Sequence, residues 1–150
     1  MNLATLIAKR AEEGRPIRVG MIGAGKFGTM FLAQAERQKG IHIIGICDLN
    51  PEATRSNLAL ANWNLERYAA KSLDAAAKNG TTHVGDNWEA LVNHPAVEII
   101  IECTGNPMAA VTHILRAFDQ GKHVINATVE ADTFCSPGFS IKAHEAGVIY

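Results

Sequence analysis

The 150-residue sequence carries no surplus of charge of either sign: 14 Lys and Arg stand against 15 Asp and Glu, for a formal charge of -1. A nucleic-acid backbone or an anionic membrane surface is held by positive surplus, so neither is an expected partner. Cysteine is scarce. Cys47, Cys103 and Cys135 are odd in number and widely spaced, which excludes a C-x-x-C site and a disulfide framework and fits a reducing, cytoplasmic setting. No apolar run approaches the roughly 20 residues needed to cross a bilayer. The first 18 residues set Lys9, Arg10, Glu12 and Glu13 among Leu3, Leu6 and Ile7, and so lack the unbroken apolar core of a secretory signal. The six histidines have no H-x-x-x-H or similar spacing, and no metal site is expected from them. Internal repeats, low-complexity tracts and linkers are missing too.

What is present is the make-up of one folded domain, 47% hydrophobic and 19% charged. A chain of this length can bury roughly 68–70% of the surface it exposes when unfolded. Leu3 to Glu13 has a helical stripe stopped by Gly14 and Pro16, so residues 1–16 read as a helical extension. Residues 17–150 then alternate. Ile17 to Ile22 is a strand that runs into a glycine turn and a helix reaching Gln38, and Ile41 to Cys47 is an apolar run suited to a buried parallel strand. Pro51 to Lys78 reads as two helices broken at Asn62-Trp63-Asn64. Thr81 to Val84 is a short strand, with Asp86 as the cap of the helix that follows it. Val97 to Cys103 is a strand, and Met108 to Gln120 a helix with Ala110, Ile114 and Ala117 on one stripe, ended by Gly121. Lys122 to Ala127 is a strand, Pro137 to Ala146 a helix, and Val148-Ile149-Tyr150 the start of a further strand. Strands alternating with helices call for an α/β fold, a three-layer doubly wound parallel sheet of Rossmann type. Because the sequence ends within an apolar β-branched run, the sheet is expected to be truncated at its last strand, with a substrate domain beyond residue 150.

Gly23-Ala24-Gly25-Lys26-Phe27-Gly28 is a G-x-G-x-x-G motif, and its context separates it from ordinary turn glycines. It follows a strand and opens a helix. The next strand ends in Asp48, 20 residues after Gly28, where a ribose-binding carboxylate belongs. Gly23 allows the tight turn, Gly25 lets backbone N–H groups approach a pyrophosphate, and Gly28 permits close packing of helix on strand. The pyrophosphate would sit at the helix N-terminus, where free N–H groups and the helix dipole favour an anion.

Asp48 favours NAD and repels a 2′-phosphate, but Asn50 and Arg55 lie just beyond it. Arg55 is either a partner for the 2′-phosphate of NADP or an exposed helical arginine, so NAD and NADP both stand as cofactors. Thr104-Gly105-Asn106-Pro107 falls at the carboxyl end of the fourth strand, where such sheets bind ligands. It reads both as a cofactor contact through Gly105 and Asn106 and as a strand-to-helix turn with Pro107 at the first helical position. Glu130 and Asp132 would share one side of an extended loop after the fifth strand. They are candidates for acid-base work or a divalent metal, against the plainer reading of solvated turn residues. Cys103 reads as a buried small hydrophobe and Cys135 as a loop residue.

Together, Val19 to Gly28, Ile46-Cys47-Asp48, Ile101 to Pro107 and Gly121 to Asn126 resemble the NAD-binding domain of the homoserine dehydrogenase superfamily. Thr128-Val129-Glu130-Ala131-Asp132 and the preface Leu6 to Arg10 resemble more specifically the oxidoreductases of that type that carry a SAF domain, a group with 1-deoxy-D-xylulose 5-phosphate reductoisomerase-like members. The Asn-Lys pair of homoserine dehydrogenases is replaced by Thr128 and Val129, and the Glu-Lys-Pro of Gfo/Idh/MocA sugar dehydrogenases is also absent. The resemblance therefore implies an NAD(P)-dependent oxidoreductase acting on a small polar carbonyl or hydroxyl metabolite, with its proton-handling residues in a missing C-terminal part. A homo-oligomer of the full-length protein is compatible with it. The competing reading is a dinucleotide-sensing regulatory domain without catalysis, since one fold serves many functions.

Overall fold

A computed structural model describes residues 2–150; Met1, the first residue of the expected extension, lies outside the described residues. Asn2 caps α1 (Leu3–Glu12), its side chain accepting from the Ala4 N–H at 3.0 Å. This helix buries no residue of its own. It is tied to the domain by Arg10, which donates to Glu98 at 2.9 Å. The alternating pattern that follows folds as β1 (Ile17–Ile22), α2 (Lys26–Ala35), β2 (Ile41–Cys47), α3 (Pro51–Leu60), a 3-10 turn (Leu65–Tyr68), α4 (Leu73–Asn79) and β3 (His83–Gly85). Then come α5 (Trp88–Asn93), β4 (Ile99–Glu102), α6 (Pro107–Asp119), β5 (His123–Asn126) and α7 (Val129–Ala146).

The five strands of the described residues are all parallel, in the order β3-β2-β1-β4-β5. A parallel sheet must be covered on both faces because its crossovers place helices there. One face packs Met21, Ile43 and Ile46 against Leu32 of α2, Leu58 of α3 and Trp63. The other packs Ile44 and Ile100 against Leu91 of α5, Ile114 and Phe118 of α6, and Phe139 of α7. The Ala110, Ile114, Ala117 stripe expected on α6 is wholly buried, and a fully buried isoleucine contributes about 1.5–3 kcal/mol. The chain turns back at β1, so the carboxyl ends of β1 and β4 border the crevice where ligands bind in open α/β sheets.

Four expectations are corrected. The helix after β1 stops at Ala35, short of Gln38. Asn87, not Asp86, caps α5, its side chain accepting from the Ala90 N–H at 2.9 Å. The last helix begins at Val129 instead of Pro137, so Pro137 lies inside it and Cys135 is helical. Among the described residues no sixth strand forms at Val148. Gly147 ends α7 in the left-handed conformation, and the tail offers the edge of β5 one backbone bond, Val124 N–H to the Ile149 carbonyl at 2.9 Å. Tyr150 is drawn instead into ring contacts with Phe118 and Phe139, at centroid distances of 5.6 and 5.3 Å.

Candidate cofactor site

The three glycines of the turn differ in what surrounds them. Gly23 has φ +94°, and a Cβ on it would lie 2.6 Å from the Cys103 carbonyl oxygen, so the turn rests directly on the end of β4. Gly28 is equally tight: a Cβ there would meet Met21 Cε at 2.7 Å and the Gly23 carbonyl at 2.9 Å, which lets α2 lie close on β1. Gly25, at the N-cap of α2, is the opposite case, since an added Cβ would meet no atom within 4 Å. The space above Gly25 is open, at a helix end whose first N–H groups have no intrahelical partner, which suits an anion. Lys26 and Phe27, next in the turn, are exposed, and Ala24 is buried. Cys103 Sγ donates to the Gly23 carbonyl at 2.9 Å and clips the turn to β4. Burial, with the nearby charges of Glu102 and Asp48, pushes this thiol up to about 12, so it stays a donor and not a nucleophile.

Asp48 follows β2, and its carboxylate turns toward the glycine loop. It accepts from the Ala24 N–H at 2.8 Å and from the Asn50 N–H at 2.9 Å, which brings the two halves of the motif together. Asn50 caps α3 through Ala53 N–H at 3.0 Å. Arg55 turns away, donating to the Val84 carbonyl and to Glu52, both at 2.8 Å.

A cleft of about 550 Å³ joins Gly23 and Gly25 to Asp48, Thr104 and Asn106, and reaches Asp86, Trp88 and His113. In the turn after β4, Gly105 has φ +69° and Asn106 caps α6, accepting from the Ala109 N–H at 3.2 Å with Pro107 as the first helical residue. The capping reading of this segment therefore holds within a segment that also lines the cleft.

The loop carboxylates do not converge. Glu130 and Asp132 stand in the first turn of α7, where residues two apart diverge. Glu130 is exposed, and Asp132 accepts the Tyr150 hydroxyl at 2.6 Å. Among the described residues no group of three or more His, Cys, Asp or Glu is placed to hold a metal ion.

The residue that sequence reasoning missed is Glu102, fully buried at the end of β4. It accepts from Thr104 Oγ1 at 2.6 Å, from His113 Nδ1 at 3.3 Å and from the Thr128 hydroxyl. Burial pushes its carboxyl up, but these hydrogen bonds outweigh burial and hold it below the ordinary value. A signal was available. A charged residue inside a strand covered on both faces has to be partnered, and threonine stands two residues further on.

The sequence profile of the Gfo/Idh/MocA oxidoreductase family, with its NAD-binding Rossmann fold, matches residues 17–126. A homoserine dehydrogenase from Methylobacillus glycogenes is 29% identical over 115 residues, which make up 75% of this chain and 25% of that protein. Among solved structures, an NAD-binding oxidoreductase from Klebsiella pneumoniae superposes with a TM-score of 0.63 at 20% identity, over 89% of this chain and 33% of that one. The 1-deoxy-D-xylulose 5-phosphate reductoisomerase of Zymomonas mobilis, in complex with NADPH, does so with 0.60 at 19% identity, over 89% and 38%. The chain thus spans a quarter to two fifths of the length of these relatives. From the start of β1 to the end of β5 it belongs to the Gfo/Idh/MocA oxidoreductase family and forms an NAD(P)-binding Rossmann domain.

Proposed function

We propose that this chain is the cofactor half of an oxidoreductase that moves hydride between NAD(H) and a small polar carbonyl or hydroxyl metabolite, of homoserine dehydrogenase-like or reductoisomerase-like type. The observation that carries the reading is the open space over Gly25, set at a helix N-terminus and facing the Asp48 carboxylate across the glycine turn. The bound dinucleotide supplies the hydride chemistry, and the protein supplies binding and orientation. The α2 N-terminus and the Gly25 backbone would hold the pyrophosphate, and Asp48 the adenosine ribose. The turn at Thr104 to Pro107 would border the other half of the molecule. The preference for NAD rests on Asp48, with Arg55 engaged elsewhere. Substrate and proton-handling groups are assigned to a further part of the protein, in keeping with the greater length of the relatives.

Titration calorimetry of the chain with NADH tests this. Binding is expected in the unaltered protein and its loss in Gly25→Val, with circular dichroism unchanged. Equal binding by both proteins refutes the assignment of the turn.

A further inference from the structure

Helix α7, the longest among the described residues, turns apolar side chains both inward and outward. Ala131, Phe139 and Ala143 are buried in the core, while Phe134 and Ile141 stand 81% and 59% exposed on the outer side. A helix that is apolar on both faces is normally covered on both. Between α6 and α7 a groove of about 480 Å³ opens outward, walled by Val111 and Leu115 on one side and by Phe134, Gly138, Ile141 and Lys142 on the other. The interior of α7 also holds Pro137 and Gly138, the two residue types least suited to a helix interior. Gly138 is exposed, its φ is not positive, and a Cβ on it would meet no atom within 4 Å. Among the described residues, nothing in the chain itself requires a glycine there.

Glu130, Phe134, Gly138 and Lys142 follow one another at intervals of four and so form one ridge along α7, exposed at every position. The ridge runs acid, ring, gap, base, an order complementary to itself when a second copy is laid antiparallel. With the two-fold axis at Ser136, midway along the ridge, each Phe134 lies over the partner's Gly138 and each Glu130 meets the partner's Lys142. Laid parallel, the same ridges would set carboxylate on carboxylate and ammonium on ammonium. Lys142 donates to Glu145 of its own helix at 2.9 Å, but both side chains are mostly exposed. Such a pair holds little, and an ammonium has donors for a second carboxylate. We infer that α7 is the interface of a homodimer in which the Phe134 ring of each copy fills the gap at the partner's Gly138, flanked by two Glu130–Lys142 ion pairs. The contact is isologous, so the assembly closes at two copies. The groove shares no lining residue with the cofactor cleft, and the inference stands independently of the dinucleotide reading.

Sedimentation equilibrium of the chain tests this, with a dimer of about 10 μM dissociation constant expected. Gly138→Leu separates a shaped contact from a merely apolar one. It exchanges a poor helix former for a good one and adds apolar surface, so an unshaped patch would pair more tightly. A filled gap instead excludes the partner's Phe134 and is expected to weaken pairing roughly hundredfold, since each dimer loses two seated rings. Glu130→Lys and Lys142→Glu are each expected to weaken pairing several-fold, and the two combined to restore it, which damage to the fold cannot do. A monomer up to roughly 1 mM, equal or tighter pairing by Gly138→Leu, or a double variant that pairs no better than the single ones overturns the inference and leaves the cofactor assignment intact. Loss of the cofactor assignment in the NADH titration, with pairing as expected, leaves the interface standing.

Discussion

The Thr128 hydroxyl donates to the buried carboxylate of Glu102 and at the same time accepts the Gly105 N–H at 3.1 Å. One side chain thus fastens the turn after β5 to the end of β4 and to the turn that follows β4. The floor of the cleft is held by this junction, not by backbone pairing alone. Thr128→Val keeps the shape and deletes both bonds, leaving a buried carboxylate short of a donor. The expected cost is about 1.5–3 kcal/mol, read as a lower urea midpoint, with Thr128→Ser retaining most of the stability. An unshifted midpoint in Thr128→Val would show that the junction does not stabilise the fold.

Glu102 also gives the fold an acid-sensitive element. Its carboxyl is pushed up by burial but held below its ordinary 4.5 by His113, Thr104 and Thr128. A folded value below the unfolded one means that the unfolded chain takes up the proton first. The contribution is therefore complete above about 4.5 and is lost as pH falls through the folded value. Glu98 acts in the same direction: burial raises its carboxyl, and the Arg18 N–H and the Arg10 side chain outweigh that. Thermal melts should change little through these groups between neutral pH and pH 5 and fall below 4.5. Glu102→Gln should flatten that fall. An equally steep decline in the variant would mean that other carboxylates govern acid unfolding.

The glycine turn separates stability from binding at two positions two residues apart. Gly23→Ala forces a Cβ into the Cys103 carbonyl at a positive φ, and is expected to cost roughly 2–4 kcal/mol. Gly25→Ala adds its methyl to open space and should stay within about 0.5 kcal/mol, yet weaken NADH because the methyl points where the pyrophosphate approaches. Urea melts and NADH titrations on both variants check this. A stable Gly23→Ala, or a Gly25→Ala with full affinity, would break the division of roles.

The order of strands and helices was legible because a parallel sheet writes itself as short apolar runs between helical stripes. Ile41–Cys47 and the Ala110, Ile114, Ala117 stripe are examples. The strand–turn–helix form of the glycine motif and the place of Asp48 just after β2 were legible because both depend on chain conformation and spacing, which are visible in sequence. What escaped depends on contacts across the chain. Pro137 reads as a helix start because proline lacks an N–H, but α7 runs through it with Ala131 and Phe139 buried on either side of it. Val148-Ile149-Tyr150 reads as a strand on propensity, and the aromatic pocket offered by Phe118 and Phe139 decides otherwise. Glu102 and His113 lie eleven residues apart in different elements, and only the packing of α6 on the sheet shows them as a pair.

Cofactor choice should turn on Asp48 and not on Arg55. With the ribose placed as proposed, the Asp48 carboxylate would meet a 2′-phosphate with like charge, while the Arg55 guanidinium is committed to the Val84 carbonyl and to Glu52. Asp48→Ala is expected to weaken NADH roughly tenfold and to narrow or reverse its advantage over NADPH. Arg55→Ala should leave the ratio of the two affinities unchanged. A selective loss of NADPH binding in Arg55→Ala would show that the side chain leaves Val84 for the phosphate.

The 150-residue chain is expected to bind the dinucleotide without turning over. Hydride transfer needs the substrate held against the nicotinamide and an acid or base within proton-transfer reach. The loop and helix start after β5 contribute Glu130, which faces solvent, and Asp132, whose carboxylate holds the Tyr150 hydroxyl. That tyrosine, raised above its ordinary value by burial and by Asp132, in turn accepts from Asn126, so both groups are occupied in packing α7 and the tail against β5. Cys103 is a thiol spent on the glycine turn, and Glu102 is closed off beneath the cleft. Absorbance at 340 nm, followed with small aldehydes, ketones and keto acids in the presence of NADH or NADPH, should stay flat at protein concentrations that saturate with cofactor. Steady oxidation that disappears in Gly25→Val would place a complete active site within these residues, and Asp132→Asn would then be the first variant expected to abolish it.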